Sequence, residues 1–160
     1  MDPDIGKVFE WARISREQHD VFTPMVAYQP SDGEPIVAFV GTTGPPVTLV
    51  AAIAGALSVI SAEHGPAEWI AVAADTYARA TDSPQLHPSL AEAFAAGDPA
   101  VVEQIVVQLV ARAAPTATGR QVYRYHAVDG YEWDPWETTP DLDLDLNALL
   151  VGALGALETY

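Results

Sequence analysis

Trp69 to Thr76 reads WIAVAADT, a continuous apolar run of strand length broken only near its end by Asp75 and Thr76. Such a segment has no polar side to turn toward water, so it fits a strand buried on both faces of a sheet. It also carries a carboxylate at the end of a strongly apolar stretch. Asp75 must either reach the exposed strand end or find a partner, because an unpaired buried charge is very costly. Arg79 and Arg124 are the candidate partners.

The flanking sequence supplies the other elements. Asp2-Pro3 has the form of an N-cap followed by proline at the first helical position, and Ile5, Val8, Phe9 and Ala12 recur at helical spacing, which predicts a helix over roughly 3–18. Val21 to Tyr28 and Pro35 to Val40 are rich in β-branched and aromatic residues around the turn sequence Pro30-Ser31-Asp32-Gly33, so they read as a hairpin. Val47 to His64 carries one stripe of large and one of small apolar residues, a central helix on the sheet that Gly65-Pro66 ends. A short helix is expected near Pro88 to Ala96. A longer one is expected from Asp98-Pro99 to Ala113, with Val102, Val106, Leu109 and Ala113 inward and Gln104, Gln108 and Arg112 outward.

Arg120 to Val128 and Tyr131 to Asp134 flank Asp129-Gly130, a pair that calls for a two-residue type I′ turn. That turn pairs Val128 with Tyr131, His126 with Trp133 and Tyr125 with Asp134. Arg124, His126, Tyr131 and Trp133 then share one face, while Tyr123, Tyr125, Glu132 and Asp134 share the other. Beyond Trp136, an acidic proline-bounded segment leads to an apolar helix, Leu146 to Leu157. The expected fold is α+β: a single domain of about five mainly antiparallel strands, in the order α-β-β-α-β-α-α-β-β-α. Residues 1–136 form its compact body, and 137–160 form an acidic linker and tail helix docked on the same domain or on a partner.

Charge and composition narrow the function classes. The 160 residues carry a net charge of −15 with nearly half of them apolar, which argues against disorder. It also argues against direct contact with nucleic acid or an anionic membrane, since little in the chain could neutralise phosphates. Cysteine is absent, which removes disulfides, thiolate nucleophiles and thiolate metal sites. Met1-Asp2-Pro3-Asp4 lacks the basic and apolar regions of a signal peptide, and the apolar stretch Val47 to Ala62 falls short of the ~20 residues that cross a bilayer. The expected location is the cytoplasm.

No motif specifies a reaction. Gly41-Thr42-Thr43-Gly44 precedes a helix as a phosphate loop would, but it has no lysine and is followed by Pro45-Pro46. Asp141, Asp143, Asp145 and Asn147 are spaced like the start of a calcium loop, yet Leu146 and Gly152 stand where glycine and glutamate are required. His19, His64, His87 and His126 show no metal-binding spacing, and no serine sits in a nucleophile elbow. No cofactor or metal is expected.

The function expected from these features is that of a non-catalytic interaction protein: an accessory, regulatory or viral assembly component. Its binding surface would be Arg124, His126, Tyr131, Trp133 and Trp136, residue types that dominate interface hot spots. The tail would dock through Leu146, Leu149, Leu150, Leu154 and Leu157. The expected partner is a protein, with a basic surface as one candidate and a homo-oligomer left open. An alternative is a small enzyme using Asp75 and His126 as an acid–base pair. A further alternative is an acidic decoy of a nucleic-acid-binding site, drawing on the six acids that precede Asp145 from Asp129 onward.

Overall fold

A computed structural model describes residues 4–19, 22–40, 49–79, 94–97, 101–112 and 116–139. Within them the chain is α+β, with two helices and one antiparallel sheet of seven strands. The elements run α1 (Ile5–Gln18), β1 (Met25–Pro30), β2 (Ile36–Phe39), α2 (Leu49–His64), β3 (Ala67–Arg79), β4 (Val101–Ala111), β5 (Ala117–His126), β6 (Gly130–Trp133) and β7 (Glu137–Thr138). In space the strands lie in the order β2-β1-β3-β4-β5-β6, and β7 continues the outer edge by pairing with β5.

The apolar run Trp69 to Thr76 is the heart of β3, and its alternate residues face opposite layers. Trp69, Ala71 and Ala73 join Met25, Ala27, Ile105, Val107, Leu109 and Tyr123 beneath Val8, Phe9 and Ala12 of α1. Ile70 and Val72 join Val26, Tyr28 and Val110 against Ile53, Leu57 and Ile60 of α2. One sheet therefore carries an apolar cluster on each face. The central helix sits on the sheet through its large-residue stripe, while Gly55 and Ala62 of the small-residue stripe are exposed. At its end, Gly65 adopts φ +77° and donates its N–H to the Ser61 carbonyl at 2.9 Å.

Three expectations are corrected. The first helix is capped by Asp4, whose Oδ1 accepts from the Lys7 N–H at 3.2 Å, two residues after the expected cap.

Residues 101–111 form β4, not a helix. Six of its eleven residues are β-branched, a composition that favours a pleated strand. Gln104 and Gln108, expected on a wet helical face, are buried in the sheet on the α2 side. The sheet accordingly has more strands, and the described residues fewer helices, than the sequence suggested. The short helix near 88–96 and the tail helix, including all five of its docking leucines, fall largely or wholly outside the described residues.

The third correction concerns the aromatic hairpin. Its loop is Ala127-Val128-Asp129, and Gly130 pairs with His126 while holding φ +82°. A three-residue turn followed by glycine in the left-handed region replaces the expected two-residue turn. The register becomes Tyr123 with Trp133, Arg124 with Glu132 and Tyr125 with Tyr131. That is a shift by an odd number of residues, so one strand's side chains change faces relative to the other's. Part of the expected acidic linker also enters the sheet, since Glu137 pairs with Arg120 and Thr138 with Gly119.

Gly119 marks the closest approach of α1 to the sheet. A Cβ there would meet Phe9 Cε2 at 2.9 Å and the Glu137 carbonyl oxygen at 3.1 Å. Gly119→Ala is expected to lower stability by about 1–2 kcal/mol through overpacking, measured by denaturant unfolding; an unchanged midpoint would refute the close fit.

Candidate functional site

Four polar side chains meet where the last turn of α1 crosses β3, β4 and β5. The register sets Glu103 opposite Tyr123 on one side and Tyr77 on the other, with Asp75 on the diagonal, all on the α1 face of the sheet. The Tyr123 Oη lies 2.5 Å from Glu103 Oε1 and 3.0 Å from Asp75 Oδ1, and it accepts from Arg16 Nε at 2.9 Å. A phenol has one proton to give. The shorter contact takes it, so the contact with Asp75 is best satisfied when Asp75 keeps a proton of its own. Burial, then the hydrogen bond and charge of Glu103, push the Asp75 carboxyl up to about 9, against the opposing influence of Tyr123 and Arg16. At neutral pH Asp75 is a carboxylic acid. The Tyr123 hydroxyl, 2 % exposed as a residue, is pushed far above its ordinary range by burial and by Asp75.

Arg16 is held in place by both ends of this arrangement. One terminal nitrogen donates to the His19 carbonyl at 2.8 Å, which caps the end of α1, and His19 Nδ1 lies 2.8 Å from the Ser15 carbonyl. Its guanidinium carbon sits 5.4 Å from the centre of the Tyr131 ring and 5.8 Å from that of Tyr123, within cation–π range. The helix end thus directs a cation onto the tyrosines of the hairpin. Glu17 on the next position accepts from Trp133 Nε1 at 2.8 Å.

Part of this cluster lines a cleft of about 840 Å³, to which Asp75 is joined through the Tyr123 hydroxyl. Arg16, Glu17, His19, Glu103, Tyr123, Arg124, Tyr125, Tyr131 and Phe94 line it. The rings pack on one another: Tyr125 and Tyr131 are tilted, 5.0 Å apart at 54°, and Tyr123 and Trp133 are stacked, 4.6 Å apart at 27°. Tyr125 is 63 % exposed and offers the most open ring of the rim. Packed aromatics with a few fixed polar groups give such a cleft the chemistry of a recognition site.

The residues expected to form one binding surface are divided by the sheet. Tyr131 and Trp133 face α1, Tyr131 lining the cleft and Trp133 stacking behind Tyr123. Arg124 and His126 alternate onto the other face, although Arg124 also borders the cleft: Arg124 pairs with Asp134 at 3.5 Å, and His126 Nε2 lies 2.9 Å from Glu132 Oε2. Trp136 stacks on Phe9 at 5.5 Å and 15°, acting as a strut between β7 and α1. Asp75 finds its cation at second hand, in Arg16 through Tyr123, and Arg124 is not its partner. His126 and Asp75 lie on opposite faces, which removes the geometry of that acid–base pair.

Arg16, Glu103, Tyr123 and Tyr125 were missed as site residues. The available signal was the two-residue spacing of Tyr123 and Tyr125, together with Glu103, once 101–111 is read as a strand with Asp75 on its neighbour. A smaller cavity of about 450 Å³ lies by Arg120, Val122, Arg124 and Trp136, where Arg120 meets Glu137 at 2.7 Å.

Among the described residues no group of three or more histidine, cysteine or acidic side chains is placed to hold a metal ion. No described helix is long and apolar enough to cross a membrane. No protein-family model, curated protein or solved structure matches the chain.

Proposed function

We propose that this chain is a non-catalytic interaction protein of the cytoplasm, an accessory, regulatory or assembly component, and that the cleft between α1 and the C-terminal hairpin receives a segment of a basic protein partner. The observation that carries this reading is the preset rim: Arg16 lies over Tyr123 and Tyr131, while the Tyr125 ring is exposed and carries no cation among the described residues. Rings immobilised before binding lose little entropy on association, which is how aromatic anchors come to dominate an interface. A net charge of −15 favours encounter with basic partners and disfavours nucleic acid and anionic membranes.

A photoreactive phenylalanine derivative at position 125, introduced in the cell of origin, is expected to trap one discrete protein. The same probe at Val59, exposed on α2, is the control. Tyr125→Ala is expected to weaken binding to the trapped protein about tenfold. Equal trapping at both positions, or unaltered affinity in the variant, overturns the proposal.

A second reading is favoured by one observation, the neutral carboxyl of Asp75 beside Glu103. Perturbed acids cluster at enzyme sites, so a proton-transfer enzyme built on these two carboxyls is the alternative. Turnover of any ligand found in the cleft, lost in Glu103→Gln, would favour it over simple binding.

A further inference from the structure

We infer that the cleft exchanges a proton for a cation: entry of a partner's arginine side chain beside Glu103 drives the proton from Asp75 into solvent. This rests on the reading of the cleft as the site for a basic partner, and it names the partner's chemistry and the coupling.

The geometric ground is the convergence of two carboxyls on one phenol. Glu103 Oε1 and Asp75 Oδ1 both approach the Tyr123 Oη, at 2.5 and 3.0 Å, and one hydroxyl proton serves one of them at a time. Two carboxylates this close repel, so a second proton stays with the pair. The cleft already contains a model of its own ligand. Arg16 lies over Tyr123 and Tyr131 and donates to the same hydroxyl, so π faces and a phenol oxygen here accept a guanidinium. Because Arg16 supplies one positive charge, a second cation added to an unchanged site would meet repulsion. Ionisation of Asp75 removes it, since the net charge of the floor is then the same before and after binding.

The hydroxyl is placed for either state. It donates to Glu103 while Asp75 is protonated, and it can turn to Asp75 once Glu103 faces the incoming cation. The O–H bond of the Asp75 acid breaks, its electron pair stays on the carboxylate, and the proton passes to the buffer. The groups bearing on this acid come from every neighbouring element: Tyr77 on its own strand, Glu103 on β4, Tyr123 on β5 and Arg16 on α1, with Tyr131 on β6 behind Arg16.

The test is calorimetric titration of the full chain with a tetra-arginine peptide near neutral pH, in two buffers of different ionisation enthalpy. The expected result is release of about one proton per peptide bound, and an affinity that rises about tenfold per pH unit between neutrality and pH ~9. In Asp75→Asn the buffer dependence and the pH dependence both vanish. Binding that is equally tight in wild type and Tyr125→Ala, or no binding at all, means the cleft does not take basic segments, and the reading it rests on fails. Binding that depends on Tyr125 yet releases no proton, or releases it undiminished in Asp75→Asn, leaves that reading standing and overturns the exchange.

Discussion

Asp75→Asn is expected to make the protein more stable above neutral pH, by about 2–4 kcal/mol at pH ~8. The folded protein holds a proton on Asp75 up to about 9, whereas the unfolded chain releases it near 3.8. The sign follows from which state binds the proton. Below pH 3.8 both states are protonated and the contribution of this group is complete. As pH rises from there toward 9 the folded state alone retains the proton, and stability falls by up to about 1.4 kcal/mol per pH unit. Asparagine has the shape of the neutral acid and keeps a donor toward Glu103 and Tyr123, without requiring a proton from solvent. Part of the gain is returned because a carboxamide donates more weakly than a carboxylic acid. Urea unfolding of both proteins across pH ~5 to ~9 checks this: the curves should converge on the acid side and separate as pH rises. Parallel curves would mean that no proton is held between the two carboxyls.

The same acid illustrates how far the sequence could be read. Asp75 stood out because it interrupts an apolar strand, and that inference needs only local chemistry. Its partners required the sheet order, which places β4 and β5 beside β3, and that order is a property of the whole chain.

Two local misreadings then hid the site. Gln104, Gln108 and Arg112 recur every four residues and mimic the polar line of a helix, which hides Glu103 as a strand residue diagonal to Asp75. The β-branched content of Val101 to Val110 was the better guide, because a strand buried on both faces has no amphipathic period to display. In the hairpin, Asp129-Gly130 is consistent with either a two-residue turn or the end of a three-residue one. Val128 at the loop tip is apolar yet 95 % exposed, so it read as strand. Choosing the shorter turn moved Tyr123 and Tyr125 to the wrong side of their partners. The α1, β1–β2 and α2 segments were legible because apolar periodicity and turn residues agree there.

Phe9→Ala is expected to have the largest effect of any single truncation, a loss of about 3–5 kcal/mol of stability. Phe9 is 2 % exposed and touches three separate parts of the fold: the core under α1, the backbone of β5 at Gly119 and the ring of Trp136 beyond β6. Removing its ring leaves a cavity bordered by main chain, which cannot collapse to fill it. It also frees Trp136, already 39 % exposed, from its stacking partner, and with it the strut between β7 and the helix. A coupling test separates this account from general damage. Gly119→Ala is unfavourable while Phe9 is present because the new methyl meets the ring edge. In the Phe9→Ala background that methyl enters the vacated space, so the second substitution should become neutral or stabilising, a coupling of about 1–2 kcal/mol. Simple additivity would show that ring and glycine are independent. Because Phe9 anchors the helix whose last turn carries Arg16, the same substitution should also loosen the Arg16–Tyr123 contact and raise hydrogen exchange at residues 15–19. The cleft therefore depends for its shape on an aromatic residue two helical turns away, which the cleft itself never touches.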